Sequence, residues 1–476
     1  MMDTSYEMVI GLEVHAELKT ETKIFCDCPT TFGAAPNTQC CPVCTGLPGS
    51  LPVLNQQVVA YAVKAGLALN CEIAGFSKQD RKNYFYPDLP KAYQISQYDL
   101  PLCSRGHLDI QTKSGAKRIG ITRIHIEEDA GKLIHDPVQG TLLDCNRCGV
   151  PLIEIVSEPD IRSAAEAVAY LQKLRSVLLY TGVSDCKMQE GSLRCDVNLS
   201  VRPQGQSALG KRAELKNLNS FSFIQKAINY EFCRQVSLLQ AGEPVVQETR
   251  RFDEKDGKTH SMRRKENAND YRYFPDPDLV PIRVDETWLR QLAAEIPTLP
   301  DARRARYQRD FGLTPYDAEQ LTADRQVADY FEQAAQLTAY PKLLCNLVLS
   351  QILRLLGDGE DSTIPIAPAH LATVCDLLGQ KKIGSSTARQ LLPRLWKKDG
   401  DPVAIIAGED LWQLTDPAQL APYVEQVLSA DVRSVGDYKR GKSSALQALV
   451  GRTMKATGGR GDPAVIAALL RERLAQ

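Results

Sequence analysis

The sequence predicts an α+β fold in which a largely antiparallel sheet is followed by an all-α region. From Met8 to about Pro281, short alternating runs of apolar and polar residues mix with Gly, Pro and Asn clusters, a pattern typical of antiparallel strands. From about Pro300 onward, Ala, Leu, Gln and Arg dominate with helical periodicity. A stretch rich in Pro, Gly and Asp at 399–402 predicts a further boundary inside the helical region.

The composition is that of a globular protein. The chain has 476 residues, with 57 Lys and Arg against 58 Asp and Glu, and 14 cysteines. That length suggests about three domains, and 43% hydrophobic with 24% charged residues is unlike a disordered or fibrous chain. The start lacks the basic and apolar regions of a signal peptide, and no apolar run approaches the ~20 residues of a membrane span. We therefore expect a cytoplasmic protein with reduced cysteines, neither secreted nor embedded in a membrane.

Four predicted strands have one apolar and one polar face each, at 10–18, 119–126, 152–156 and 193–201. Because side chains alternate along a strand, Glu13 and His15 share the polar face of the first strand. The second strand delivers the carboxylates of residues 127–129 at its end, and the third places Glu154 inside an apolar run. The fourth carries Arg194 and Asp196 on its polar face.

These polar faces predict a site for a hard divalent cation. A buried carboxylate such as Glu154 is costly unless a cation or a hydrogen-bond donor compensates it. Several carboxylates with one imidazole form a ligand set that Mg²⁺ can use while it keeps waters and meets phosphate oxygens. The alternative is an ordinary amphipathic sheet with a solvated polar face, and the pattern alone leaves both interpretations open.

Two helices are predicted to pack behind this sheet. For the first, Ser163-x-x-Glu166 is a capping box, and Gly182 stands where a left-handed C-cap belongs. The second is predicted over 223–240, before Ala241-Gly242. Both are interpreted as packing elements without a chemical role.

The cysteines near the N-terminus predict a structural zinc knuckle. Two short-spaced pairs in a reducing compartment suit a tetrahedral Zn²⁺ ion, and the Gly, Pro and Asn residues between them favour the necessary turns. The predicted ligands are Cys26, Cys28, Cys41 and Cys44. Cys40 adjoins the second pair, and the later pair Cys145-x-x-Cys148 is interpreted as packing because a strand follows it where a redox motif would open a helix.

The C-terminal tail is basic within a neutral chain. Between Arg433 and Gln476, nine basic residues oppose three acidic ones, a surplus of six positive charges. A solvated helical face is one interpretation, and contact with a nucleic-acid backbone is the functional one. Residues 436–443 match the pattern G-x-x-x-x-G-K-S, but the preceding stretch is helical where a P-loop requires a strand, so we predict no phosphate-binding loop there.

A series of motifs identifies the family that this chain resembles. They are 10–15 (IGLEVH), 80–88 (DRKNYFYPD), 91–96 (KAYQIS), 127–132 (EEDAGK), 151–156 (PLIEIV), 190–196 (EGSLRCD), 214–220 (ELKNLNS) and 270–275 (DYRYFP), with Tyr438-Lys439-x-Gly441-Lys442 and Met454-Lys455 in the tail. Together they resemble the B subunits of the aspartyl/glutamyl-tRNA amidotransferases (the GatCAB complexes), from the first strand to the tail.

The resemblance implies three domains: a catalytic cradle with the zinc knuckle at 1–295, a helical domain at 296–408 and a tail similar to YqeY proteins at 409–476. It implies that ATP phosphorylates the side-chain carboxylate of Glu-tRNA(Gln) or Asp-tRNA(Asn), and that ammonia then displaces the phosphate. It also implies two protein partners in the same complex, an amidase that supplies the ammonia and a small third subunit, and no membrane. Whether Glu-tRNA(Gln), Asp-tRNA(Asn) or both are substrates stays open.

The resemblance also assigns roles to residues, as expectations. Catalytic residues are Glu13, Glu128 and Asp196, and the Mg²⁺ ligands are His15, Glu128 and Glu154, where motif position favours Glu128 over Glu127. ATP, phosphate or substrate contacts fall to Lys82, Arg194, Lys216 and Arg272, and tRNA contacts to Lys439, Arg440, Lys442 and Lys455. The competing hypothesis is a noncatalytic zinc-containing scaffold that binds tRNA.

Overall fold

The computed structural model describes residues 5–113, 115–264, 270–357 and 363–475, and it divides into two compact units, Met1–Leu299 and Pro300–Gln476. The strands of the described residues lie in the first unit: β1 (Tyr6–Glu17), β2 (Glu72–Ile73), β3 (Phe76–Ser77), β4 (Asp80–Asn83), β5 (Tyr93–Ser96), β6 (Cys103–Thr112), β7 (Gly115–Glu128), β8 (Lys132–Asp136), β9 (Gly140–Asp144), β10 (Pro151–Ser157), β11 (Leu193–Pro203), β12 (Ala213–Lys216), β13 (Glu248–Asp253), β14 (Lys258–Arg264), β15 (Phe274–Pro275) and β16 (Ile282–Arg283). Its helices are α1 (Gln56–Ala68), α2 (Ala164–Thr181), α3 (Phe221–Gln240) and α4 (Glu286–Ala294).

One nine-stranded sheet dominates the first unit, in the order β14-β13-β12-β11-β1-β10-β7-β6-β2. Among the described strands of this sheet, only β12 and β13 pair in parallel, which confirms the predicted antiparallel character. The four strands predicted from alternation are present as β1, β7, β10 and β11, with bounds that differ from the predicted ones by a few residues. These four lie side by side in the middle of the sheet.

The two faces of the sheet differ as the alternation predicts. In β1, Ile10, Leu12 and Val14 are at most 1% exposed and join a core to which α1, α2 and α3 contribute. Fully burying one such aliphatic side chain stabilises the fold by about 1.5–3 kcal/mol. Burial of these residues therefore determines which face of the strand points toward the core. The residues between them consequently project from the opposite, polar face.

The caps of α2 are those that the sequence predicts. Ser163 accepts a hydrogen bond from the backbone N–H of Glu166, and Gly182 closes the helix in the left-handed region at φ 71°. The Glu166 carboxylate accepts from the backbone N–H of Arg162 at 2.8 Å, one residue before the position expected for a capping box. Helix α3 begins two residues earlier than predicted, after its N-cap Ser220.

The regular elements of the second unit, among its described residues, are helices, and an isolated β-bridge joins Leu414 to Gly461. Its helices are α5 (Pro300–Phe311), α6 (Pro315–Leu321), α7 (Arg325–Ala335), α8 (Pro341–Leu347), α9 (Leu353–Leu356), α10 (Pro368–Gly379), α11 (Ser385–Lys397), α12 (Pro402–Gly408), α13 (Pro417–Ala430), α14 (Val432–Lys439), α15 (Ser444–Ala456) and α16 (Pro463–Ala475), with a π-helical turn at Val348–Ile352. Two hydrophobic cores form, one between Tyr307 and Ile406 and the other between Leu420 and Leu474. The chain divides into two compact units after Leu299. This division does not test the predicted three-domain organisation, so the domain boundaries at 295/296 and 408/409 stay predictions.

No helix among the described residues has both the length and the apolar character that crossing a bilayer requires.

Candidate active site

A row of polar side chains crosses the middle of the sheet. Arg194 of β11 lies opposite His15 of β1, which in turn lies opposite Glu154 of β10. Glu154 lies opposite His125 of β7. Side chains directly opposite one another on one face stand about 4.5–5.5 Å apart at Cβ. The register therefore brings together polar groups that are distant in the sequence.

The centre of this row has the spacing of a metal site. His15 Nε2 lies 3.4 Å from Glu127 Oε1 and 3.3 Å from Glu154 Oε2. One ligand atom from each of these residues lies within 4.8 Å of the others, so a single ion could touch all three. Glu127 and Glu154 are 2% and 8% exposed, so the polar face is not solvated at these two positions.

His125 completes the cluster, although the sequence pattern did not identify it. Its Nε2 lies 3.4 Å from Glu154 Oε2 and 3.8 Å from Glu127 Oε2. His125 is 3% exposed, and its Nδ1 has no hydrogen-bond partner among the described residues. Its position between Ile124 and Ile126 in an alternating strand was the signal that could have revealed it.

The carboxylates and imidazoles of the cluster stabilise one another's charged forms. Burial lowers the pKa of His125, but Glu154 and Glu127 outweigh burial and raise that pKa to about 9. Burial raises the pKa of Glu154, yet both imidazoles hold it well below the ordinary range of a glutamate. The carboxylates are therefore ionised, which is the state that a divalent cation needs.

The assignment of Glu128 as a metal ligand stays a prediction, although the structure places Glu128 outside this cluster. Its carboxylate accepts from Lys91 Nζ at 2.6 Å and from the backbone N–H of Ile95 at 2.8 Å. Consecutive strand residues point to opposite faces, so Glu127 rather than Glu128 joins His15 and Glu154. The motif position on which the prediction rested carried no information about that direction.

A second acidic group lies on the neighbouring strands. One oxygen from each of Glu13, Asp196 and Glu214 lies within 4.8 Å of the others. Lys216 Nζ pairs with Asp196 and lies 3.1 Å from Glu214 Oε1, and Asn198 Nδ2 donates to Glu13 at 2.8 Å. Burial, reinforced by Glu154 and Asp196, raises the pKa of Glu13. The predicted residues Glu13, Asp196 and Lys216 thus meet, and Glu214 is an addition.

The remaining predicted phosphate or substrate contacts divide into two groups. Arg194 Nη2 pairs with Asp129 Oδ2 at 2.8 Å beside the row. Burial lowers the pKa of Lys82, but Glu127 and other neighbours outweigh burial and raise it overall. Arg272, by contrast, lies in the segment before β15, and its side chain is 84% exposed. The structure brings Lys82 and Arg194 to the cluster but leaves Arg272 outside it.

The four predicted zinc ligands are close together. The sulfurs of Cys26, Cys28, Cys41 and Cys44 lie within 4.8 Å of one another, and those of Cys41 and Cys44 are 4.0 Å apart. A tetrahedral site with Zn–S bonds of about 2.3 Å separates its sulfurs by about 3.8 Å, so the residues fit zinc. Hydrogen bonding from Cys26 lowers the pKa of Cys44 to about 4, and the buried Lys23 Nζ lies 3.6 Å from the Cys44 sulfur.

Hydrogen bonds join the knuckle to residues 143–146. Asn37 donates from its backbone N–H to Asp144 Oδ1 at 3.0 Å and from Nδ2 to the carbonyl of Leu143 at 2.9 Å. Asn146 Oδ1 accepts from the backbone N–H of Gln39 at 2.8 Å. Beside this contact Cys145 and Cys148 are buried against the knuckle cysteines, including Cys40, a placement that agrees with their interpretation as packing residues.

The basic residues of the tail lie at the surface. Lys439 lies in the last turn of α14 and Lys455 in the last turn of α15, and both are exposed, as are Arg440 and Lys442. Arg440 and Lys442 share Asp437 as an ion-pair partner. Helix α14 covers residues 432–435, before the G-x-x-x-x-G-K-S match, and the first four residues of the match itself. A P-loop requires a strand before the match, so the motif has no P-loop context.

Replacing Lys442 with alanine should therefore leave the KM for ATP unchanged. In a P-loop the lysine touches the phosphates of the nucleotide, whereas here we expect only tRNA binding to weaken, with a shallower salt dependence. Steady-state kinetics with ATP and with tRNA at two salt concentrations separate the two interpretations. A large rise in the KM for ATP would restore the P-loop interpretation.

Comparison with known proteins finds a family-model match in each half of the chain. The family model described as the GatB/GatE catalytic domain matches residues 8–290, and the GatB domain model matches residues 329–474. A protein of Caldicellulosiruptor saccharolyticus is 54% identical over 98% of this chain and 99% of its own length. Relatives from Caldanaerobacter subterraneus subsp. tengcongensis and Geobacter sulfurreducens are 54% and 50% identical over 99% of this chain and 100% and 99% of their own. All three are named as the B subunit of an aspartyl/glutamyl-tRNA(Asn/Gln) amidotransferase.

Proposed function

The chain belongs to the family of aspartyl/glutamyl-tRNA(Asn/Gln) amidotransferase B subunits, and we propose that its acidic sheet face performs the ATP-dependent step of tRNA amidation. It is a ligase subunit that acts in translation on a tRNA substrate. The observation that carries the proposal is the cluster of His15, Glu127 and Glu154, whose ligand atoms converge within 4.8 Å. Glu-tRNA(Gln), Asp-tRNA(Asn) or both are the proposed substrates.

The chemistry explains why such a face is needed. A side-chain carboxylate is a poor acyl donor, because its oxygens are poor leaving groups. Transfer of the γ-phosphoryl group of ATP to one carboxylate oxygen releases ADP and makes an acyl phosphate. Ammonia then attacks the carbonyl carbon, the C–O bond to phosphate breaks, and one proton leaves with the inorganic phosphate. Phosphoryl transfer depends mainly on positioning and on neutralising charge.

Three groups of residues are proposed to carry out this step. His15, Glu127 and Glu154 are the proposed Mg²⁺ ligands, and Mg²⁺ bound there supplies positive charge to the phosphate oxygens. Lys82 and Arg194 border the same cluster and are proposed to hold the phosphates or the substrate carboxylate. Glu13, Asp196 and Glu214 form the neighbouring acidic group, proposed to orient the phosphoryl group through Lys216 and bound water.

The partners and the remaining sites complete the proposal. A partner amidase supplies ammonia and a small third subunit holds the complex together, in the cytoplasm where tRNA is used. The four-cysteine knuckle is proposed to bind a structural Zn²⁺, since its four sulfurs lie within 4.8 Å of one another. The exposed basic residues Lys439, Arg440, Lys442 and Lys455 are proposed to contact the tRNA backbone, while Arg272 is left to substrate binding at the rim.

Amidation by the reconstituted complex tests this function. The chain is combined with the amidase and the small subunit, and each mischarged tRNA is supplied separately with ATP, Mg²⁺ and glutamine. We expect amidated tRNA to accumulate with one or both substrates and to require ATP and Mg²⁺. Binding of both tRNAs without ATP consumption or product would instead support the noncatalytic scaffold.

A further inference from the structure

A row of tyrosine rings leads away from the acidic cluster. Tyr84 meets Tyr271 edge to face at 5.8 Å, and Tyr271 meets Tyr273 at 5.9 Å. Tyr273 then stacks flat against Tyr98, with ring centres 4.4 Å apart and planes 8° apart. We name these four residues the tyrosine strip.

The strip is anchored by the backbone. Asn83, at the end of β4, donates from its N–H to the carbonyl of Tyr271 at 2.9 Å and from Nδ2 to the carbonyl of Arg272 at 2.9 Å. On the other side, the backbone N–H of Tyr98 donates to Asp80 Oδ2 at 3.0 Å. Rigid aromatic rings lose little conformational entropy when a ligand binds, so this anchoring favours a preformed binding surface.

One end of the strip carries Lys82 of β4, which pairs with β5, the strand whose Ser96 hydroxyl donates to Glu127 Oε2 at 3.5 Å. Lys82 Nζ lies 5.1 Å from the centre of the Tyr271 ring and 5.9 Å from that of Tyr84, within the range of cation–π contacts. Lys82 therefore places a positive charge where the rings meet the cluster.

The other end of the strip is open to solvent. Tyr98 is 54% exposed although one of its ring faces is covered by Tyr273. Arg272, between two of the strip residues, has a side chain that is 84% exposed and adds a second cation. An exposed ring with one covered face is a surface on which another flat ring can stack.

We propose that the tyrosine strip binds the single-stranded 3′ end of the tRNA, whose bases stack on Tyr98 while Lys82 and Arg272 meet its phosphates. Stacking on aromatic side chains beside cations is how single-stranded RNA is bound. Several tyrosine rings in a row suit the successive bases of an RNA strand, whereas ATP has only one base. A half-exposed ring also suits the end of a polymer better than it suits a cofactor that is enclosed by the protein. This inference rests on the proposed function, because it places the aminoacyl end at the acidic cluster.

Equilibrium binding of tRNA to the reconstituted complex tests the strip without any turnover. For Tyr98→Ala we expect the Kd for the full tRNA to rise about 5- to 100-fold, the factor that loss of base–aromatic stacking produces. Tyr98→Phe should retain wild-type affinity, because the ring and not the hydroxyl group carries the contact. Phe32→Ala, which removes another exposed ring (69% exposed), is the matched control and should bind as the wild type does.

A shortened tRNA locates the contact. Without its last three nucleotides, tRNA should bind wild type and Tyr98→Ala equally, since the stacked bases are missing from both complexes. An unchanged Kd of Tyr98→Ala for full-length tRNA, or an equal loss for both tRNAs, would overturn the inference. So would a rise in the Kd for ATP alone, which would assign the strip to the adenine of the nucleotide. Because binding is measured without product formation, failure of amidation leaves this result interpretable.

Discussion

Replacing Glu154 with glutamine is expected to lower the rate of tRNA amidation at least about a hundredfold. Changes to residues that merely orient metal ligands cost about 10–100-fold in metal affinity or activity, and Glu154 is itself a proposed ligand. The substitution keeps the shape of the side chain but removes the charge that both His15 and His125 approach. We also expect the variant to bind Mn²⁺, used here in place of Mg²⁺, more weakly. Product formation by the reconstituted complex measures the rate, and Mn²⁺ binding by the isolated chain measures the metal affinity.

Two control variants make that result specific. Glu72→Gln changes an exposed carboxylate of the same sheet, paired with Arg105, and should leave both quantities unchanged. Glu128→Gln should retain Mn²⁺ affinity even if activity falls, because the Glu128 carboxylate is engaged by Lys91 and Ile95. Wild-type Mn²⁺ affinity and activity in Glu154→Gln would refute the proposed metal site, and lost affinity in Glu128→Gln would return that residue to it.

Replacing Cys44 with serine is expected to release the zinc and to lower the melting temperature of the chain by several degrees. Structural zinc sites contribute to folding directly, with binding free energies of about 10–16 kcal/mol in small zinc-finger peptides. Cys44 is 5% exposed and lies within the cysteine cluster. Metal analysis of protein purified without added zinc and a thermal unfolding curve are the two measurements.

Cys233→Ser is the matched control for the loss of a thiol. Cys233 is an exposed free cysteine on α3, so its variant should keep zinc and melt as the wild type does. About one zinc per wild-type chain and much less in Cys44→Ser is the expected pattern. Wild-type protein that carries no zinc, or a Cys44→Ser variant that keeps it, would exclude the knuckle as a zinc site.

Much of the fold could be predicted because side-chain alternation is a local property. The strand containing Glu13 and His15 alternates with five apolar residues, and that pattern alone specifies which side faces the core. The capping box at Ser163 and the glycine at position 182 likewise define a helix with local information. Elements of this kind need no knowledge of the distant chain.

The composition of the active site could not be predicted in the same way. His15 meets Glu154 and His125 because β1 lies beside β10 and β10 beside β7, a strand order that no local pattern specifies. Choosing between Glu127 and Glu128 required the direction of a side chain at a strand end, which depends on that register. Glu214, for its part, reaches the site only because β12 pairs with β11.

The place of β1 in the sheet has a consequence for how the protein is made. This strand, Tyr6–Glu17, leaves the ribosome before the other strands, yet its two hydrogen-bonding neighbours are Pro151–Ser157 and Leu193–Pro203. Its two edges are not both paired until residue 203 has been synthesised, and unpaired edges invite association between nascent chains. Such distant pairing also slows folding. The segment that contributes His15 to the site therefore depends on protection of its edges while residues 18–203 are being translated.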